Sequence, residues 1–216
     1  MRELAAVVRT KSDEKRREII RVAAKTFEEL GFERTSMLTL AERMRGSKQT
    51  LYNYFGSKEE LLRAVLDFDV GEVADEALKE LRSQKSLRKG LARLGEIYLA
   101  RQLAPQAISN IRIVATQPAE SGIGEDFYQN ILCVAWRRVA EAFETLMSDG
   151  RLRSADPWLA AMHFKGLVLQ DLLERQLLNA AKPTNAKEIE AAAEHAADAF
   201  LRVYGVEKAK PKKAQA

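Results

Sequence analysis

Apolar residues recur along this chain at intervals of three and four, and the two-residue alternation of a half-buried strand is absent. The spacing predicts a helix over 13–30 with Ile20, Ala23, Ala24 and Phe27 on one face and Gly31 placed to stop it. A second helix follows Ser36, over about 37–44, and buries Met37, Leu40, Ala41 and Met44. A third starts after Ser47 and ends before Gly56. A fourth starts at Ser57 and continues to about Leu81. Its opening Ser-Lys-Glu-Glu is a capping box, in which the Ser57 hydroxyl accepts from the Glu60 amide and the Glu60 carboxylate reaches back. Five further helical segments fall at about 86–103, 106–116, 124–148, 157–179 and 186–204, bounded by Pro105, Pro118, Gly150, Pro157 and Pro183. Asp156-Pro157 supplies a cap followed by proline at the first helical position, Asn185 and Glu188 form a second box-like start, and Gly205 ends the last helix. The pattern is all-α. The apolar run at 4–8 is too short for a signal-peptide core, so the first ten residues are expected to form a mobile arm; the lysine-rich stretch 208–216 reads as a disordered tail.

The third helix is barely two turns long, and a helix that short does not hold itself together in water. At about 100° per residue, Leu51 and Phe55 fall together and must point inward. Gln49 and Asn53 fall on the opposite side one turn apart, flanked by Thr50 and Tyr52, with Lys48 at the start. Such an array suits the edges of base pairs. Gln and Asn amides pair bidentately with adenine, Lys reaches guanine or phosphate, and a Thr methyl meets a thymine methyl. Tyrosine hydroxyls bind phosphate oxygens. The two short helices joined around Arg45-Gly46-Ser47 make a helix-turn-helix whose second member enters a major groove. The Ser57-Lys58 helix start adds a phosphate clamp.

Composition changes this picture little. The 216 residues carry 35 Lys plus Arg against 31 Asp plus Glu, a net charge of +4. Residues 1–60 hold 13 basic and 10 acidic side chains, so nucleic-acid binding must rest on placement rather than totals. The single cysteine, Cys133, excludes an intramolecular disulfide and a thiolate zinc cluster, and fits a cytosolic protein. No apolar run approaches the ~18 residues of a membrane span. Neither His163 nor His195 has a partner at ligand spacing, so no metal and no cofactor is expected. An enzyme is disfavoured too: no nucleophile has a base nearby, and SGIGED at 121–126 follows no strand, so it is a loop rather than a phosphate cradle.

Residues 16–66 resemble the DNA-binding domain of the tetracycline-repressor (TetR) family of bacterial transcription regulators. The resemblance is carried by RREII, AAKTFEELGFERTS, LAERM and above all SKQTLYNYFGSKEELL. It implies base or backbone contacts at Gln49, Thr50 and Asn53. It implies phosphate contacts at Lys48, Tyr54, Lys58 and Ser36, the last at the start of the second helix; Ser47 and Tyr52 complete the candidate surface. One departure stands out. Where the family has glycine and then a small apolar residue before the serine, this chain has Arg45 and Gly46. Either Arg45 adopts a left-handed conformation at a cost or Gly46 takes it and the turn differs; Arg45 also adds a candidate phosphate contact. A looser similarity to the AefR-like subset lies around IRIVATQPAESGIGEDFYQN.

By resemblance, 1–56 is the arm and reading head, and 57–207 is a helical domain that dimerises and encloses a small-molecule effector. The segment 158–178 is apolar nearly all round. The last helix carries Ile189, Ala192, Ala193, Ala196, Ala199 and Phe200 on a stripe of small residues. Together they form either a four-helix interface between two copies or ordinary core of one. Tyr128, Leu132, Trp136, Val139, Phe143 and Leu146 repeat at core spacing, and Tyr128 and Trp136 double as candidate ligand walls. Arg112, Gln117, His163 and Gln170 are the candidate polar contacts of a pocket, although His163, between Met162 and Phe164, also reads as a satisfied buried histidine. The expected function is a cytoplasmic, nucleoid-associated homodimeric repressor, paired through its last two helices on a palindromic double-stranded operator and released by a small molecule. The alternative is a helical ligand-binding or scaffold protein with weak, non-specific DNA binding.

Overall fold

The computed structural model describes the backbone of residues 2–206 and the side chains of 12–206 apart from those of Asp69 and Glu72. The stretch 208–216, read as a tail, lies outside the described residues. Eleven α-helices are present among them: α1 (Arg2–Leu30), α2 (Met37–Arg43), α3 (Lys48–Tyr52), α4 (Lys58–Ser83), α5 (Leu87–Gln102), α6 (Pro105–Ala115), α7 (Ile123–Asp126), α8 (Cys133–Ser148), α9 (Pro157–Leu169), α10 (Leu172–Leu177) and α11 (Ala186–Tyr204). A 3-10 turn covers Ala119–Ser121 and a π-helical stretch, Phe127–Leu132, joins α7 to α8. The only β pairing among the described residues is an isolated bridge between Leu152 and Gly205.

The chain divides into two compact units. Among the described residues, one holds 2–72 and 104–134, the other 73–103 and 135–206. The first unit surrounds a core of Ile19, Ile20, Ala23, Phe27, Leu40, Leu51, Phe55, Leu61 and Leu62. Ile113, Val114, Ile123 and Phe127 pack against that core, so α6 and the π stretch belong with the N-terminal helices. In the second unit the rings of Phe143, Phe164, Phe200 and Tyr204 interlock at centroid distances of 4.7–5.8 Å. There α5 lies so close to α9 and α11 that a Cβ placed on Gly95 would sit 3.1 Å from Val168 and 3.4 Å from Ala193.

Four expectations are corrected. The first helix begins at Arg2 rather than at Asp13. The helix expected over 157–179 breaks at Gln170 (φ 46°, ψ −133°); no proline or glycine marks this break, and α10 restarts behind Asp171. The π stretch has more residues per turn than an α-helix, so the inward face slips by one. Ile131 is therefore buried while Tyr128 is half exposed, and the core spacing Tyr128–Leu132–Trp136 holds only from Trp136 onward. The small-residue stripe of α11 does not face outward either: Ala192, Ala193, Ala196 and Phe200 are buried within the second unit. What α9 and α11 leave exposed are other residues, including Trp158 and Leu159 on α9 and Val203 on α11.

Candidate nucleic-acid interface

The capping signals read from sequence set the ends of the short helices. Ser36 accepts the Thr39 amide at 3.1 Å and starts α2. Ser47 accepts the Thr50 amide at 3.0 Å and starts α3. Each serine hydroxyl also pairs with the threonine three residues on, at 2.9 and 2.8 Å. At the start of α4 the Ser57 hydroxyl accepts the Glu60 amide, but the Glu60 carboxylate passes Ser57 and accepts from the Gly56 amide at 2.7 Å. The Ser57 hydroxyl thus caps α4 while the Glu60 carboxylate closes the turn between α3 and α4.

Between α2 and α3, Gly46 N–H bonds to the Ala41 carbonyl at 3.1 Å and Arg45 N–H to the Glu42 carbonyl at 3.0 Å. This pair of bonds is a Schellman motif with Arg45 at its left-handed position, φ 50°. Of the two conformations open to the turn, the arginine takes the costly one. The motif recurs at Gly150 (φ 67°) and Asn179 (φ 53°), residues that tolerate it.

With the turn set, α3 is pinned by Leu51 at 0% exposure and Phe55 at 1%. The regular helix ends at Tyr52, and Asn53 continues in helical conformation as its cap. Gln49 and Asn53 are both exposed and touch each other: the Gln49 amide donates to the Asn53 carbonyl at 3.1 Å. That bond fixes the two amides side by side, and the Asn53 NH2 and Gln49 carbonyl keep donor and acceptor capacity. The Lys48 ammonium lies 5.6 Å from the centre of the Tyr52 ring, which is exposed, and Thr50 and Tyr54 are half buried. Lys58 is tied more firmly. Its ammonium donates to the Phe32 carbonyl at 2.9 Å and sits 4.2 Å above the Phe32 ring, leaving two of its three N–H donors. Sequence reasoning missed Arg16, whose guanidinium stacks 5.2 Å from the Phe55 ring centre and closes α1 over the end of α3. No local spacing signals a contact between residues that far apart.

The electrostatics around the head are uneven. Arg43 pairs with Glu29 and holds that carboxyl below its usual range, chiefly through their hydrogen bond. Arg45, two residues on, is exposed and has no ion pair among the described residues.

Three of the six pocket candidates, Arg112, Gln117 and Tyr128, belong to the first unit, and Trp136, His163 and Gln170 to the second. In the first unit Gln117 caps α6, donating to the Ile113 carbonyl at 3.1 Å and lying 3.5 Å from the Glu33 carboxylate. Arg112 is half buried and Tyr128 exposed. In the second unit Trp136 is core, edge-on to Tyr98 at 4.9 Å, and burial raises the Tyr98 hydroxyl above its usual pKa. Gln170 is exposed at the break. His163 is exposed rather than buried, and its Nδ1 meets the Tyr204 hydroxyl at 2.7 Å, which satisfies it. Among the described residues no three His, Cys, Asp or Glu side chains are arranged to hold a metal ion.

A capped helix pair whose second member is pinned by buried Leu51 and, just past its end, by Phe55, and which exposes paired amides, has the build of a helix-turn-helix. The chain belongs to the TetR family. Residues 19–65 match the model of bacterial regulatory proteins of the tetR family, and 89–206 match the C-terminal domain of AefR-like transcriptional repressors. The family is one of transcription regulators, not enzymes. No curated protein matches the chain. Solved structures do. A TetR-family regulator from Mesorhizobium loti is 28% identical over 90% of this chain and 98% of its own, with a TM-score of 0.81. The flavonoid-responsive regulator FrrA is 27% identical over 91% of this chain and 100% of its own, with a TM-score of 0.66. A TetR regulator from Agrobacterium tumefaciens is 25% identical over 88% and 94%, with a TM-score of 0.71. No helix among the described residues is long and apolar enough to cross a membrane.

Proposed function

We propose that this regulator is a cytoplasmic homodimeric repressor that binds a palindromic operator and leaves it when a small molecule binds. The observation that carries the reading is the division of α3: Leu51 and Phe55 buried, Gln49 and Asn53 exposed and bonded to each other. Residues 1–56 serve as the reading head and 57–207 as the dimerisation and effector domain. Gln49, Thr50 and Asn53 meet base edges. Ser36, Arg45, Ser47, Lys48, Tyr52, Tyr54 and Lys58 meet the sugar-phosphate backbone, Lys58 with the donors that Phe32 leaves it. The similarity to AefR-like repressors supports repression over activation. One head reads too few base pairs, so two must sit in successive major grooves ~34 Å apart or a multiple of that. The exposed apolar residues of α9 and α11 supply the face through which copies pair. The flavonoid-responsive relative makes planar polyphenols the first effectors to screen. Any effector acts only through its differential affinity for the bound and released forms.

Gel shifts on DNA flanking its own gene test this reading. Asn53→Ala, Tyr54→Ala and Lys58→Ala together should abolish the shift. A wild-type protein that binds operator and random duplex alike, with affinity set by salt alone, would support the scaffold reading instead.

A further inference from the structure

The turn between α2 and α3 is assembled with its two residues in an unfavourable order. A Schellman motif is most stable with glycine at the left-handed position and an apolar side chain following, which packs back on the helix. Here arginine holds the left-handed position at φ 50° and glycine follows, contributing no side chain. Gly46 is not among the residues of positive φ, so its freedom is unused. Space does not impose this order. A Cβ on Gly46 would meet Met44 Cβ at 3.9 Å, an ordinary contact. Elsewhere the same motif carries Gly150 and Asn179. The costly residue therefore occurs at the one such turn that leads into the reading helix.

The charge pattern accounts for it. Arg43 is neutralised by Glu29, whereas Arg45 is exposed, without an ion pair among the described residues, and two positions before the cap of α3. We propose that Arg45 is a phosphate contact that fixes the register of the reading helix, kept at the expense of the head's own stability. The proposal rests on the operator-binding reading. It adds one consequence: removing this side chain must stabilise the protein and weaken the complex together.

Arg45→Gly, Arg45→Asn and Gly46→Ala, compared with wild type by thermal melting and by operator titration across salt, test it. Arg45→Gly should raise Tm by about 2–4 °C, because the left-handed strain is relieved. It should also weaken operator binding about tenfold per head at low salt, and flatten the slope of log affinity against log salt by about 0.9 per head. Arg45→Asn should lose affinity and slope alike. Gly46→Ala should raise Tm through the unfolded chain while leaving the slope unchanged, which separates added stability from the lost cation. Unchanged slope and affinity in both Arg45 variants, with a wild type that still discriminates operator from random duplex, would overturn the proposal and leave the regulator reading intact. A wild type that does not discriminate would remove the reading on which it rests.

Discussion

α3 and α11 are both capped helices of one chain, yet they are held by opposite means. α11 is 19 residues long, opens with a capping box between Asn185 and Glu188, and buries six side chains against its own unit. α3 has five residues and buries one, Leu51, with Phe55 just beyond its end. Of the rest of α3, Lys48, Gln49 and Tyr52 are exposed and Thr50 is half buried. A long helix with a wide buried face can lose an exposed residue at little cost. A helix pinned at two points depends on both pins and on the turns at each end, and in return nearly all its polar residues are available to a partner. The difference teaches that the head's stability lies in few contacts, and that the residues we propose to read DNA contribute almost nothing to it.

The largest effects should come from the pins. Phe200→Ala removes a ring packed against Phe143, Phe164 and Tyr204 and should cost about 3–5 kcal/mol. Leu51→Ala should cost about 2–5 kcal/mol. Hydrogen exchange separates them: Phe200→Ala should lose protection in α5, α9 and α11, and Leu51→Ala in α1 to α3 with loss of operator binding. Equal loss of protection in both sets of helices for either variant would break the comparison.

Next come the displayed amides. Gln49→Ala and Asn53→Ala each remove an exposed group and should change stability by no more than about 0.5 kcal/mol. Each should cost about 1–3 kcal/mol of discrimination at its base pair. Competition against operators mutated one position at a time would show the loss confined to the bases each amide reads. A uniform loss across sequences would instead mark them as backbone contacts.

The division between pins and display was legible in the sequence because it is periodic and local. Ser36, Ser47, Asp156 and Asn185 all cap as their spacing implies. Ser57 and Glu60 differ only in that the carboxylate reaches Gly56. What stayed hidden is tertiary. A π stretch of ordinary helix formers has no compositional signature, so the spacing places Tyr128 on the buried face where the structure exposes it. The alanine stripe of α11 permits close approach by any helix, and periodicity cannot say whether that helix is α5 of the same chain or one of a second copy. The break at Gln170 carries no proline or glycine. The lone sequence ambiguity at the reading head, Arg45 against Gly46, is one the structure resolves in favour of the strained residue.

Lys58 sharpens the comparison at smaller amplitude, because it stands on both sides of it. Lys58→Met removes a donor to the Phe32 carbonyl and a cation over the Phe32 ring. The head should lose about 1 kcal/mol. If its remaining donors also hold a phosphate, the salt slope should fall by about 0.9 per head. Lost stability with an unchanged slope would make Lys58 a post for the turn after α1 and nothing more.

The smallest effects belong to two ion pairs, one in each region. Arg43 pairs with Glu29 between α2 and α1; Arg88 binds Asp198 between α5 and α11 through two hydrogen bonds of 2.6 and 2.9 Å. Both carboxyl groups are held below their usual range, in each case first by the arginine hydrogen bond. A depressed carboxyl pKa contributes stability that is present above the unfolded value and lost as pH falls through the folded one. Asp198→Asn and Glu29→Gln should therefore flatten the acid limb of the stability curve and leave the limb above neutrality unchanged in shape. Both pairs are well exposed, so added salt should shrink the effect. The two variants differ in where it is read: Asp198→Asn in the melting of the α5–α11 unit, Glu29→Gln in operator binding at mildly acid pH, because α2 carries the turn that aims α3. An acid limb unmoved by either substitution would mean that the pairs register the packing of their helices and do not reinforce it.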